Sequence, residues 1–337
     1  MPSRMRTAFF GVQEWEKEYL KKRLKGQKAF FFDEELNQDN ALKAAKFEII
    51  SVFVHSEINK NVVEKLKNAK LIVARSTGFD HIDINECRKK GIIVSNVPRY
   101  GENTVAEHTF SLILCLTRKV HKAWDRTRHL DFSLDGLRGT DLKNKTLGVL
   151  GTGNIGKNVI RIAKGFEMKV IAFDPFKDRE SAKKLGFKYV SFERLLKNSD
   201  ILTLHAPYNR HTHHIINKEN IKKIKKGAFL INTARGGLIE TDALVWALEN
   251  KVLGGAGLDV LEEECTVQDE TEIISKNFPK ECDLKIIIEN HILASKDNVI
   301  ITPHNAFNSI EALERILDTT LSNISSFKKG RVTNRVS

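Results

Sequence analysis

Little in this chain suggests a membrane, a disulfide scaffold or a metal centre. Its most apolar helical stretch, Phe110 to Leu116, is far too short to cross a bilayer, and no N-terminal run joins a basic start to an apolar core and a small-residue cleavage site. A soluble cytoplasmic protein without a membrane partner is therefore expected. Cysteine is scarce: Cys87, Cys115, Cys265 and Cys282 form no CxxC pair and no metal-ligand spacing, so they read as reduced thiols. His211, His213 and His214 cluster, but no cysteine or carboxylate group joins them, so they read as a polar turn and no metal is assigned. Absent too is any nucleic-acid recognition motif. The net charge of +12 comes from lysines scattered along the chain and densest at Lys222 to Lys226, just before an apolar strand, which describes a solvated basic surface.

What is there is globular. A chain of 337 residues with 41% hydrophobic content exceeds what one core usually serves, so two domains are expected. Short apolar runs alternate with helical stretches from the start: Thr7 to Gly11, Ala29 to Phe32, Phe47 to Val54, Leu71 to Ala74 and Ile92 to Ser95. Such a series implies an open parallel sheet. A helix follows, with Thr104 and Glu107 as a capping box and a helical period running to about Arg128. After a polar connection the alternation resumes, and a last amphipathic helix runs from Ser309 to about Lys329. The expected fold is α/β, with two open parallel-sheet domains, one Rossmann and dinucleotide-binding, the other flavodoxin-like and substrate-binding, and a cleft between them. Their expected extents are 102–301 for the first and 1–101 with 302–337 for the second.

The stretch Thr146 to Phe176 organises the rest. A strand ends directly in Gly151-Thr152-Gly153-Asn154-Ile155-Gly156, a GxGxxG turn that opens a helix, and a second strand ends in Asp174. The first glycine permits the tight turn, the second lets backbone approach a pyrophosphate, and the third lets the helix sit against the sheet. The helix N-terminus favours phosphate. Asp174 stands at roughly the twenty-residue spacing of a carboxylate that binds the adenosine ribose, which favours NAD over NADP. Lys177 and Arg179 lie just beyond it and are the residues that a 2′-phosphate would meet.

The later strands each end in polar groups: His205-Ala206-Pro207, Thr233-Ala234-Arg235, Asp259, and Pro303-His304-Asn305. Ligands of open α/β sheets bind at such ends. Hydride transfer to a keto acid needs a cation for the carboxylate, an acid for the carbonyl oxygen, and a means of keeping that acid protonated. Arg235 offers the planar fork. His304 is the natural proton donor, and a nearby carboxylate would favour its imidazolium. Glu262, Glu263 and Glu264 are all candidates for that carboxylate, and their spacing does not choose among them.

The motifs RSTGFDHID (Arg75 to Asp83), SNVPRYGENTVAEHT (Ser95 to Thr109), GTGNIG, INTARGGLIETDAL (Ile231 to Leu244), AGLDVLEEE (Ala256 to Glu264) and ITPHNAF (Ile301 to Phe307) together resemble the D-isomer-specific 2-hydroxyacid dehydrogenases. The resemblance spans most of the chain in the family's order. It implies catalytic roles for Arg235, Glu264 and His304, and substrate binding by the Thr77-Gly78 backbone with Tyr100 and Phe307 at its border. It also implies that Thr104, Thr233, Ala234 and Asp259 surround the nicotinamide, and that His205, Ala206 and Pro207 lie near the adenosine half. The implied activity is NAD-dependent reduction of a small 2-keto acid, with pyruvate and D-lactate as the first choice, in a homodimer. Glycerate, phosphoglycerate or a bulkier acid is the alternative substrate, and a non-catalytic NAD-sensing protein the alternative class. Cys265 stands where many members have proline, and the segment from Glu264 to His304 is longer than is common in the family.

Overall fold

The computed structural model describes residues 5–24, 28–263 and 283–337. The chain divides into two compact units, Met1–Tyr100 with Ser309–Ser337, and Gly101–Asn308.

In the first unit, β1 (Thr7–Phe10), β2 (Ala29–Phe32), β3 (Ile49–Val52), β4 (Leu71–Ala74) and β5 (Ile93–Ser95) form one sheet in the order β2-β1-β3-β4-β5. Every pairing in it is parallel. That order is the flavodoxin-like one. All residues of β1, β3 and β4 are buried, as expected of central parallel strands covered on both faces. The intervening helices are α1 (Glu14–Arg23), α2 (Ala41–Ala44), α3 (Lys60–Lys65) and α4 (Ile84–Lys89). Asn59 and Asp83 cap α3 and α4 by accepting from the Val62 and Glu86 amides.

The second unit opens on α5 (Glu102–Arg118) and α6 (Val120–Arg128), where the sequence suggests one helix. The break falls at Lys119, whose φ is +53°. Returning chain causes it: the Thr140 amide takes the Thr117 carbonyl at 2.9 Å, and Lys119 Nζ donates to the Gly136 carbonyl at 2.6 Å. The expected capping box is also displaced. Gly101 is the N-cap, so Thr104 lies inside the first turn and is buried.

Seven strands follow: β6 (Thr146–Leu150), β7 (Lys169–Phe173), β8 (Lys188–Tyr189), β9 (Ile201–Leu204), β10 (Ala228–Asn232), β11 (Leu253–Leu258) and β12 (Val299–Ile301). Their order is β12-β11-β10-β9-β6-β7-β8, all parallel, the Rossmann arrangement with its switch point between β6 and β9. Helices α7 (Asn154–Gly165), α8 (Arg179–Leu185), α9 (Phe192–Asn198), α10 (Thr241–Glu249) and α11 (Leu284–Ser295) connect them. Alternate strand residues divide between two cores. Leu147, Val149, Ile201 and Ile231 pack with α5 and α7, whereas Leu150, Leu202, Leu204 and Leu230 pack with α9 and α10.

The chain then contributes α12 (Ile310–Lys328) to the first unit. Ser309 Oγ caps it at the Ala312 amide, and Leu317 and Ile324 join Phe9, Leu20, Ile49, Leu71 and Val73 in one core. Each such side chain contributes roughly 1.5–3 kcal/mol by leaving water. Among the described residues, no helix is long and apolar enough to cross a membrane.

Candidate active site

β6 ends in the glycine turn, and the turn's geometry fits a dinucleotide. Gly151 has φ +93°, and a Cβ there would lie 2.7 Å from the backbone of His205 on β9's far end. A Cβ on Gly156 would come within 2.1 Å of the Gly151 carbonyl oxygen, so α7 can sit this close to the turn only without a side chain. Where a Gly153 Cβ would stand, nothing lies within 4 Å. Gly153 is also the N-cap of α7, and no side chain caps the helix there. Open space in front of uncapped helix amides is the cradle that a pyrophosphate needs.

Asp174, directly after β7, binds this turn rather than standing apart from it. Its carboxylate accepts from the Thr152 amide at 2.7 Å, Thr152 Oγ1 at 3.0 Å and the Phe176 amide at 2.8 Å. The carboxylate is thus held at the turn's edge, where a ribose diol would meet it. Lys177 and Arg179 are exposed beyond it.

β9 delivers His205 to the switch point. Its amide donates to the Leu150 carbonyl at 2.7 Å, and its Nε2 lies 2.9 Å from Thr203 Oγ1. Burial pushes the imidazole down to about 3, so it is neutral, and its buried Nδ1 has no partner. Ala206 is buried and Pro207 exposed.

β10 delivers Thr233, Ala234 and Arg235. Asn232 staples that turn from below, its Oδ1 accepting from the Ala234 amide at 3.0 Å and its Nδ2 donating to the Arg235 carbonyl at 2.8 Å. Thr233 Oγ1 lies 2.9 Å from Thr109 Oγ1 on α5. Arg235 is half-buried, and its Nη1 donates to the Ala234 carbonyl at 2.8 Å.

β11 and β12 are joined at their ends by Asp259, which is 1% exposed. Its carboxylate accepts from Thr302 Oγ1 at 2.6 Å and from the amides of Asn305 and Ala306 at 3.0 and 2.9 Å, with His108 Nε2 at 3.3 Å. Burial alone would raise this carboxyl, but the hydrogen bonds from His108, Thr302 and Ala306 outweigh it and hold the pKa below the ordinary carboxylate range. His304 lies inside this clasp, with its amide 2.9 Å from the Asp259 carbonyl, a φ of +48° and an exposed side chain. Left-handed backbone persists at a residue with a Cβ only where surroundings over-determine it. Asp259 supplies that constraint. Neither Asn232 nor His108 was singled out from the sequence; the only signal was the asparagine that opens NTARG and the histidine that closes VAEH.

Two of the three candidate glutamates are engaged elsewhere. Glu262 pairs with His214 and accepts from Thr241 Oγ1 at 2.8 Å, and Glu263 accepts from the Asp283 amide at 2.6 Å. Glu264 lies outside the described residues, as do Cys265 and Cys282. The other clustered histidines also have local partners, His213 with Tyr208 and His211 with Arg210.

Six neighbouring parallel strands therefore present Asp174, Gly151, His205, Arg235, Asp259 and His304 at one sheet edge. Phe307, half-buried, follows in the same unit. Thr77, Gly78 and Tyr100 belong to the first unit, at the carboxyl ends of β4 and β5. Thr77 Oγ1 donates to the Val97 carbonyl at 2.9 Å, and the Tyr100 carbonyl accepts from Arg315 Nε at 2.6 Å.

Residues 110–306 match the family described as D-isomer specific 2-hydroxyacid dehydrogenase, NAD binding domain. D-lactate dehydrogenase of Escherichia coli is 36% identical over 333 residues, covering 97% of this chain and 98% of that protein. The D-specific alpha-keto acid dehydrogenase of Enterococcus faecium is 41% identical over 308 residues, covering 90% of each. Among solved structures, D-lactate dehydrogenase from Aquifex aeolicus, complexed with NAD and lactic acid, has a TM-score of 0.81 and 38% identity over 96% of both chains.

Proposed function

Since the chain belongs to the D-isomer specific 2-hydroxyacid dehydrogenases and is an NAD-dependent oxidoreductase, we propose that its reaction is the reversible reduction of pyruvate to D-lactate. The observation that carries this reading is the placement of a guanidinium, Arg235, and an imidazole, His304, on the two strand ends that flank β11, at the edge bearing the dinucleotide turn. Residues 102–301 are the cofactor domain in this reading, and 1–101 with 302–337 the substrate domain.

When bound at the Gly151–Gly156 turn, the cofactor supplies hydride to C2 of the keto acid. The chain's own residues do the rest. Asp174 accepts from the ribose hydroxyls, and His205, Ala206 and Pro207 wall the adenosine half. Thr104, Thr233, Ala234 and Asp259 border the nicotinamide, while Asn154 and Ile155 present first-turn amides to phosphate. Arg235 holds the carboxylate and carbonyl with two parallel N–H groups and stabilises the charge developing on oxygen. His304 gives its proton to that oxygen as C2 is reduced, and Glu264 is the third catalytic residue of this reading. The Thr77 and Gly78 amides receive the carboxylate, with Tyr100 and Phe307 limiting the side-chain space.

A homodimer is part of the proposal. Val120, Trp124, Leu130, Phe132 and Leu134 expose between 55% and 82% of their surface within one short stretch of α6 and its following loop, an apolar patch suited to a second copy. A cytoplasmic location accords with Cys87 and Cys115 both being free thiols.

The deciding experiment is NADH oxidation across pyruvate, hydroxypyruvate, glyoxylate and phenylpyruvate, with chiral analysis of the product. Pyruvate should have the highest kcat/KM and yield only the D-isomer. Preference for phenylpyruvate would move the assignment to a bulkier keto acid, and no turnover with any of the four would refute the dehydrogenase reading.

A further inference from the structure

Among the described residues, the largest fully buried side chain is a cation that no carboxylate pairs with. Arg75 follows β4 and is 1% exposed. Its Nη2 donates to the carbonyls of Phe10 and Gly11, both at 2.7 Å, and its Nη1 donates to Ser51 Oγ at 3.2 Å, so every partner is neutral. Nε is buried without a partner, and the Phe53 ring lies 5.7 Å away. Glu16 and Glu35 act on it only through space, since Glu16 turns to the Gln13 amide and Glu35 accepts from Ser56 Oγ. Burial lowers the guanidinium pKa, yet a guanidinium stays charged in proteins.

Withdrawing a lone charge from water is costly, and apolar residues of similar size often replace buried ions without loss of stability. A purely architectural role leaves that cost unaccounted for. The position of the charge offers a reason. The guanidinium reaches from the end of β4 past β3 to the end of β1, and so lies across the carboxyl edge of the first unit's sheet. The chain leaving Arg75 is Ser76-Thr77-Gly78, which is tightly pinned. Ser76 Oγ donates to the Gly78 carbonyl at 2.6 Å, Asn96 Nδ2 to the Thr77 carbonyl at 2.8 Å, and the Val97 amide to the Ser76 carbonyl at 3.0 Å. Within this framework the amides of Thr77 and Gly78 donate to nothing among the described residues. Two amides with no protein acceptor on a pinned loop, two and three residues along the chain from a buried cation that no carboxylate touches, can receive an anion.

We propose that Arg75 is a positioning residue for the substrate carboxylate, a fixed positive charge in the sheet edge from which the Thr77-Gly78 loop leaves, which draws the acid's anionic head to this loop. The proposal rests on the reading of the chain as a 2-keto acid reductase. Because protein rather than water surrounds the guanidinium, its field is weakly screened, so the effect should persist at high salt.

The test compares wild type, Arg75→Met and Arg75→Lys by steady-state kinetics, NADH titration and thermal unfolding, with oxamate as a carboxylate-bearing competitive inhibitor. In Arg75→Met the pyruvate KM and oxamate Ki should both rise about tenfold at low and at high ionic strength, while the NADH Kd stays within roughly twofold. Arg75→Lys should recover most of the KM while melting lower than wild type, because a point ammonium restores charge but cannot serve both carbonyls. Should Arg75→Met fail to fold, Ser51→Asp neutralises the same charge with the arginine kept, and it should raise KM in the same way. Unchanged pyruvate KM in a folded Arg75→Met or Ser51→Asp variant overturns the inference, as does an Arg75→Lys enzyme with the KM of Arg75→Met. A wild type inactive on every keto acid overturns instead the functional reading beneath it.

Discussion

The amide of His304 donates to the carbonyl oxygen of Asp259 at 2.9 Å, and the Asp259 carboxylate takes the next two amides, Asn305 and Ala306, at 3.0 and 2.9 Å. One buried acid thus sets the backbone of the residue proposed as proton donor, including its left-handed φ of +48°. Asp259→Asn keeps one oxygen acceptor but turns the other position into a donor that faces an amide. It should lower stability by about 2 kcal/mol and cut turnover more strongly than NADH affinity. Wild-type kinetics in a folded Asp259→Asn protein would show that the clasp does not govern the histidine.

Stability should fall with acid, for two separable reasons. Burial pushes the His205 imidazole down to about 3, whereas an unfolded histidine titrates near ~6.5, so unfolding takes up a proton between those values. The stability present above about pH 6.5 is therefore lost as pH falls towards the folded value. The depressed Asp259 carboxyl adds a second loss at lower pH, present above about pH 4 and disappearing as pH drops through its folded pKa. In melting curves from about pH 8 to about pH 3, His205→Gln should flatten the upper part of this decline. Equal slopes for His205→Gln and wild type would remove His205 from the account.

His304→Gln preserves size and some hydrogen bonding but cannot carry the proton. Turnover should drop by about 10²- to 10⁴-fold with NADH binding intact. A loss of less than about tenfold would assign proton delivery to another group.

For Arg235→Lys, the pyruvate kcat/KM should fall by about a hundredfold, since an ammonium cannot present two parallel N–H groups to carboxylate and carbonyl. Near-normal kinetics would show that Arg235 does not clamp the substrate.

Asp174→Asn should weaken NADH binding by roughly tenfold and narrow its preference over NADPH, because the acid both orders the Thr152 turn and disfavours a 2′-phosphate. Exposed Lys177 and Arg179 would then meet that phosphate. An unchanged NADH to NADPH ratio would show that selectivity resides elsewhere.

The amino-acid pattern alone was enough for the two parallel sheets, the glycine turn with its terminal acid, and the strand-end positions of Arg235 and His304. Parallel strands are continuous apolar runs, and GxGxxG between a strand and a helix has a local steric cause, so both are written in neighbouring residues. Tertiary structure decided what depends on residues far apart in the chain. Lys119 breaks the expected long helix because Thr140 returns to claim the Thr117 carbonyl. Glu262, open as a candidate in the sequence, is tied to His214 and Thr241. Asp259 encloses the His304 turn from a strand away, and Arg75 is left as a buried charge only because β1 and β3 bring carbonyls and a hydroxyl to it rather than an acid. Periodicity reports which way a side chain faces, but the partner it meets there is fixed by sheet order, which no local pattern encodes.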